Sequence, residues 1–175
     1  MAILTYSSRQ ETVEHSFHPA VAVLVPLAAI LVQINLPRLI PQAAMLDLPL
    51  IVVIFFSVGR RGPIAGIFTG SLTGLTQDYF SGQDIGIFGI SKSIIGYLAS
   101  SLSVRIDVES LGTRLLLSFG FTLLHNWIVF VIRYSLIGLD MHWGWGHELL
   151  RAVLNMVVAV PLLFLLDRTK HRDHR

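Results

Sequence analysis

The sequence predicts an all-α integral membrane protein, a compact bundle of about six transmembrane helices. Three observations carry that prediction. Hydrophobic residues make up 53% of the 175-residue chain and charged residues 14%, a balance far from that of a soluble globule. The apolar residues gather into runs that reach, or nearly reach, the about 20 helical residues needed to cross a hydrocarbon core. The connections between runs are short, so the spans form one bundle, 19–167, with no soluble domain.

The first run, 19–36, follows a polar leader, 1–18, containing Arg9, Glu11, Glu14, His15 and His18. No small-residue cleavage pattern follows in "NLPRLIPQ", so the run reads as a retained span. The second run, 48–59, is short: about twelve residues at 1.5 Å each give roughly 18 Å against a core of about 30 Å. Asp47 is placed to cap it and Pro49 lies in its first turn, where a missing amide proton does little harm. This segment is expected to begin earlier, near Pro41, or to be tilted, kinked or re-entrant.

The third run, 63–80, carries glycines at a spacing of four: Gly66, Gly70 and Gly74, then Asp78. On a helix these positions share a slowly drifting face, a smooth groove into which another backbone can pack. The fourth run, 85–103, repeats the device with Lys92, Gly96 and Ser100, and Asp84 precedes it as a candidate N-cap. Lys92 lies roughly 10 Å from the start of its helix. Its stem tilts toward that start, so Lys92 is expected to pair with Asp78 or Asp84. The reading preferred for that pair is structural, an ion pair fixing helix register, over a proton or ligand role.

In the fifth run, 115–137, His125 and Asn126 fall near mid-depth with Arg133 farther out; in the sixth, 148–166, Arg151 and Asn155 share a face. With Asp84 and Lys92 these residues form a candidate outward-facing cavity or partner-binding surface. Arg133 and Arg151 are read first as side chains that satisfy a neighbouring backbone or sit at the headgroups. His125 and Asn126 stand evenly between backbone satisfaction and a cavity wall.

Charge sets the expected orientation. With the N-terminus in the cytoplasm, Arg9, Arg60, Arg61, Arg105, Arg114, Arg168, Lys170, Arg172 and Arg175 lie inside and Arg38, Arg133 and Arg151 outside, which favours six spans with both ends inside. The same orientation puts Asp78, Asp84, Asp140 and the aromatic "MHWGWGH" at the outer face. The basic tail, 168–175, suits anionic headgroups or a cytoplasmic partner.

Several chemistries find no support. The chain has no cysteine, which removes disulfides, thiol catalysis and thiolate metal sites. The pairs His15 and His18, His142 and His147, and His171 and His174 lack a third ligand at recognisable spacing. There is no G-x-S-x-G elbow, and "GRRGP" lacks the phosphate-loop pattern. The net charge of +2 is scattered between apolar runs, not gathered into a groove for nucleic acid. The expectation is a non-enzymatic membrane protein without metal or other cofactor, in contact with membrane lipid; the small-residue faces also suit a homodimer.

Residues 47–102 resemble the rod shape-determining protein MreD family. The resemblance rests on a short apolar span and a glycine-rich span ending in "GL..D" at Gly74, Leu75 and Asp78. It continues in "SG...G" at Ser81, Gly82 and Gly86 and a helix ending "GYL" at Gly96, Tyr97 and Leu98. Its specific part covers about a third of the chain. The resemblance implies a bacterial inner-membrane, multi-pass, non-catalytic component of the cell-elongation machinery. Such a component works with an MreC-like shape protein, an MreB-like actin homologue and peptidoglycan synthases. It also implies a fold similar to the substrate-binding components of energy-coupling-factor vitamin transporters, which supplies the alternative function: a transporter component with an outward ligand cavity. Such a component is expected to carry alanines four apart in its first helix. Here Ala20, Ala22 and Ala28 are followed four residues on by Leu24, Pro26 and Val32.

Overall fold

Among the described residues, six α-helices and two short turns of other helical pitch make up the regular structure. They are α1 (Pro19–Leu39), a 3-10 turn (Pro41–Met45), α2 (Leu48–Arg60), α3 (Pro63–Ser81), α4 (Ile87–Ser103), α5 (Leu111–Ile132), a π-helical turn (Arg133–Ile137) and α6 (Trp145–Asp167). The computed structural model describes residues 19–168 except Arg61, Gln83, Asp107, Glu109 and Met141. The readings placed on the polar leader and on the tail beyond Arg168, His15, His18, His171 and His174 among them, lie outside the described residues. No strand occurs among the described residues. By length and composition, three helices among the described residues are apolar enough to cross a membrane: Ala20–Leu39, Leu111–Ile137 and Trp145–Asp167.

The helix ends follow from local chemistry. Helix α1 runs three residues past the expected end, through Pro37, and holds Pro26 as well. Gly62 precedes α3 as its N-cap and Pro63 takes the first helical position, where proline costs no intrahelical bond. Helix α3 stops where Gly82 enters the left-handed region at φ 61°, a conformation only glycine adopts without strain. Helix α4 starts at Ile87 after Gly86, at φ 106°. Asp84 therefore does not cap α4; it is exposed in the turn.

The short apolar run becomes the centre of the bundle. Every residue of α2 from Pro49 to Gly59 is buried, as expected of a helix that is hydrophobic all round. One side, Ile51, Val52, Phe55 and Phe56, packs on Ala159, Leu163 and Leu166 of α6. The other side, Leu50, Ile54 and Val58, packs on Ile95 and Ala99 of α4 and Phe121 and Ile128 of α5. A helix wrapped by its neighbours presents no long surface to lipid, so about 20 Å of length suffices. It does not begin at Pro41: residues 41–45 form the separate 3-10 turn, and α2 starts afresh behind Asp47. Apolar side chains on the outside of α1, Val23, Leu24, Leu31 and Val32 among them, stay exposed.

A buried carboxylate junction and the cavity above it

Helices α3 and α4 approach closely enough to exclude side chains between them. A Cβ added at Gly66 would strike the backbone of Gly96, one at Gly70 the carbonyl of Lys92, and one at Gly74 the backbone of Phe88 and Gly89. A Cβ at Gly96 would in turn strike Gly66. Small residues permit that approach because packing, not water exclusion, holds helices together in lipid. Asp78 ends the stripe, fully buried. Its carboxylate accepts the amide protons of Gly86 (2.9 Å), Phe88 (3.1 Å) and Gly89 (3.1 Å). Asp78 is thus an N-cap supplied from the neighbouring helix: it satisfies donors that the first turn of α4 leaves without intrahelical partners.

The start of α2 is satisfied in the same way. The Asp47 amide donates to Asn155 Oδ1 (2.8 Å), the Leu48 amide to Gln33 Oε1 (3.1 Å) and the Leu50 amide to Asp47 Oδ1 (3.0 Å). Pro49, the remaining residue of that turn, has no amide proton to place. Asn155 also donates to the carbonyls of Met45 (3.2 Å) and Arg151 (2.8 Å). Three helices and the 3-10 turn are fastened at one point.

Lys92 meets Asp47 there. Its ammonium lies 2.5 Å from Asp47 Oδ2, and His125 Nε2 lies 3.2 Å from the same oxygen. Lys92 does lean toward the start of its helix, but the expected pairing with Asp78 or Asp84 is corrected. Asp78 has committed its oxygens to the amides of α4, and Asp84 faces outward in the turn. The lysine side chain is wholly buried and that of Asp47 is 11% exposed, so each ion depends on the other. The ammonium also sits 5.1 Å from the centre of the Phe88 ring, and His125 stacks on that ring at 5.8 Å. Asp47 and Gln33 were missed as members of this junction. The signal for Asp47 was its capping position before an apolar run; only the packing of α2 against α4 reveals the second role.

Above the junction opens a cavity of about 430 Å³. His125, Asn126, Arg133 and Arg151 line it together with Asp47, Gln77, Phe88, Phe130, Trp143 and Glu148. Asn155 and Lys92 lie beneath, fully buried, and Asp84 is not part of this wall. Asn126 donates to Glu148 Oε2 (2.7 Å), and Arg151 lies 3.7 Å from the same oxygen. At the rim, α5 gives way to the π-helical turn, a local widening often found at functional sites. The Arg133 guanidinium at its start lies 6.0 Å from the Phe88 ring. Both arginines line the cavity, and Arg151 also donates to the backbone carbonyl of Met45 (3.5 Å), one of the two roles expected of it. Among the described residues no three His, Cys, Asp or Glu side chains gather as a metal site.

The sequence matches the family model for rod shape-determining protein MreD over residues 16–168, nearly the whole chain. The chain belongs to the MreD family. Membership reaches well beyond the 47–102 segment that carried the resemblance, taking in α1, α5 and α6, and it implies a role in rod-shape determination. Together with its apolar helices, it makes the chain a membrane protein of a shape-determining family not known for catalysis. It does not favour the vitamin-transporter alternative. No curated protein and no solved structure matches the chain.

Proposed function

We propose that this MreD-family protein is a non-catalytic, multi-pass component of the bacterial inner membrane. In this reading it scaffolds an MreC-like shape protein and peptidoglycan synthases beside an MreB-like filament during cell elongation. The observation that carries the reading is the family match across residues 16–168. The architecture supports it: the glycine seam and the Asp47 junction hold helices at fixed spacing, as a scaffold requires, while apolar outer faces are left for lipid and partner segments.

The proposed orientation is N-in and C-in with six spans. The end where α2, α4 and α6 finish and α5 begins carries Arg60, Arg105, Arg114 and Arg168. The opposite end carries Arg38, Arg133 and Arg151, and the tail adds Lys170, Arg172 and Arg175 to the first group. That excess belongs in the cytoplasm. Depletion of the protein from its rod-shaped host should round the cells, and purification from membranes should retain the shape protein. Unchanged shape with lost vitamin uptake would overturn the reading, and a reporter fused after Arg175 that works only outside the cytoplasm would overturn the orientation.

A further inference from the structure

Three buried polar atoms without partners among the described residues belong to residues on the wall of the cavity described above. They are Gln77 Oε1, His125 Nδ1 and Trp143 Nε1. Gln77 is 5% exposed and His125 2%. An unsatisfied buried polar group costs about 1–3 kcal/mol, and three at one cavity call for a common explanation. Their chemistry narrows what the cavity takes. His125 Nε2 faces the Asp47 carboxylate at 3.2 Å, so the neutral ring carries its proton there and leaves Nδ1 as an acceptor. Gln77 Oε1 is a second acceptor and Trp143 Nε1 a donor.

The formal charges at this wall are largely spoken for. Asp47 is answered by Lys92, and Glu148 by Arg151 and Asn126. An anion without a hydroxyl has no proton to give to two acceptors. A hydroxyl both donates and accepts, so hydroxyls on one ring match acceptors and donor alike. Phe88, Phe130 and Trp143 add aromatic faces, with Phe130 and Trp143 edge to face at 5.3 Å, against which the apolar face of a saturated ring can lie. At about 30 Å³ per water the volume equals roughly fourteen waters, room for a ring of about a dozen heavy atoms and its exocyclic groups. It also falls within the range of ordinary small-molecule pockets. The three atoms are closed to water in their present orientation. The terminal torsion of a glutamine is soft, so an arriving hydroxyl can draw the amide into the cavity.

We infer that this cavity is a binding site for an uncharged polyhydroxylated ring, a sugar, presented either free or as the headgroup of a glycolipid. This goes beyond the scaffold reading and does not rest on it. The test uses the full chain in phosphatidylcholine nanodiscs, with saturation-transfer NMR on methyl glucoside as the probe. Transfer to the ring protons is expected. Gln77→Leu, which keeps volume and removes the acceptor, should weaken binding about tenfold, the equivalent of one net hydrogen bond. Trp143→Phe, at a residue less buried than Gln77, should weaken it as well and carries the test if the Gln77 variant does not fold. Adding a glucosyl diacylglycerol to the disc separates the sources: displacement of the probe assigns the lipid-borne sugar, and no displacement the free one. Absence of transfer in the native protein, equal transfer in a folded variant, or displacement by inorganic phosphate would overturn the inference.

Discussion

Removing the ammonium of Lys92 should be the most damaging single change at the junction, and its cost should vanish when Asp47 is neutralised too. In Lys92→Met the Asp47 carboxylate keeps the Leu50 amide at 3.0 Å and His125 at 3.2 Å but loses the full-time cation at 2.5 Å. Breaking a buried pair from one side costs about 3–5 kcal/mol. Asp47→Asn leaves the lysine buried and unpaired, and should cost as much. Asn can still cap α2, so the double variant loses two charges and no cap; its expected cost is about 0–2 kcal/mol. The coupling between the two sites is then about 4 kcal/mol or more, against less than about 0.5 for independent sites. Thermal unfolding in detergent, followed by tryptophan fluorescence, reads this: about 2–4 °C are lost per kcal/mol in a chain of this size, so each single variant melts roughly 6–20 °C lower and the double variant close to native. Asp78→Asn combined with Lys92→Met is the control, and should couple much more weakly because Asp78 is held by three amides of α4 and makes no ion pair with the lysine. Additivity between positions 47 and 92, or strong coupling between 78 and 92, would refute the assignment.

Gly70→Ala should part α3 from α4, because the added Cβ meets the carbonyl of Lys92 and no side chain there can yield; a loss of at least about 1–3 kcal/mol is expected. Gly120→Ala, in α5 with nothing near the added atom, should instead be neutral or stabilising by up to about 1 kcal/mol, and equal melting points for the two would count against the seam. Asp78→Ala should leave the amides of Gly86, Phe88 and Gly89 without their acceptor, at a cost of about 1–3 kcal/mol. Hydrogen exchange should then speed up at the start of α4 while α2 keeps its protection; unchanged exchange there would contradict the cap.

Much of the bundle was legible because helices are local. Apolar runs gave α3 its start at Pro63 and α4 its end at Ser103 as observed, whereas the earlier start near Pro41 expected for α2 did not occur. Ends that depend on turn conformation were less so: α4 begins two residues later than its apolar run, after Gly86, and α5 starts four residues earlier and finishes in a π-helical turn. The site was legible in part. Spacing of four drew attention to Gly66, Gly70, Gly74 and Gly96, and mid-span polarity drew attention to Lys92, His125 and Asn126. Which acid Lys92 meets was not legible, because three acids, Asp47, Asp78 and Asp84, lie near the same end of the bundle and sequence distance favoured the two nearest. The structure separates them by what else each must satisfy.

The sequence by itself determined the helical membrane bundle, the family and the positions where helices can touch, since composition, motif and 3.6-residue periodicity are properties of the chain alone. Tertiary structure decided that the shortest helix is the innermost one and that Asp47, 45 residues from Lys92, is its partner. It also decided that Gln33 and Asn155 close the donors of α2, and that a cavity opens above them. The physical reason is that a buried charge or amide takes whichever partner packing brings within about 3 Å, and in a bundle that partner comes from another helix.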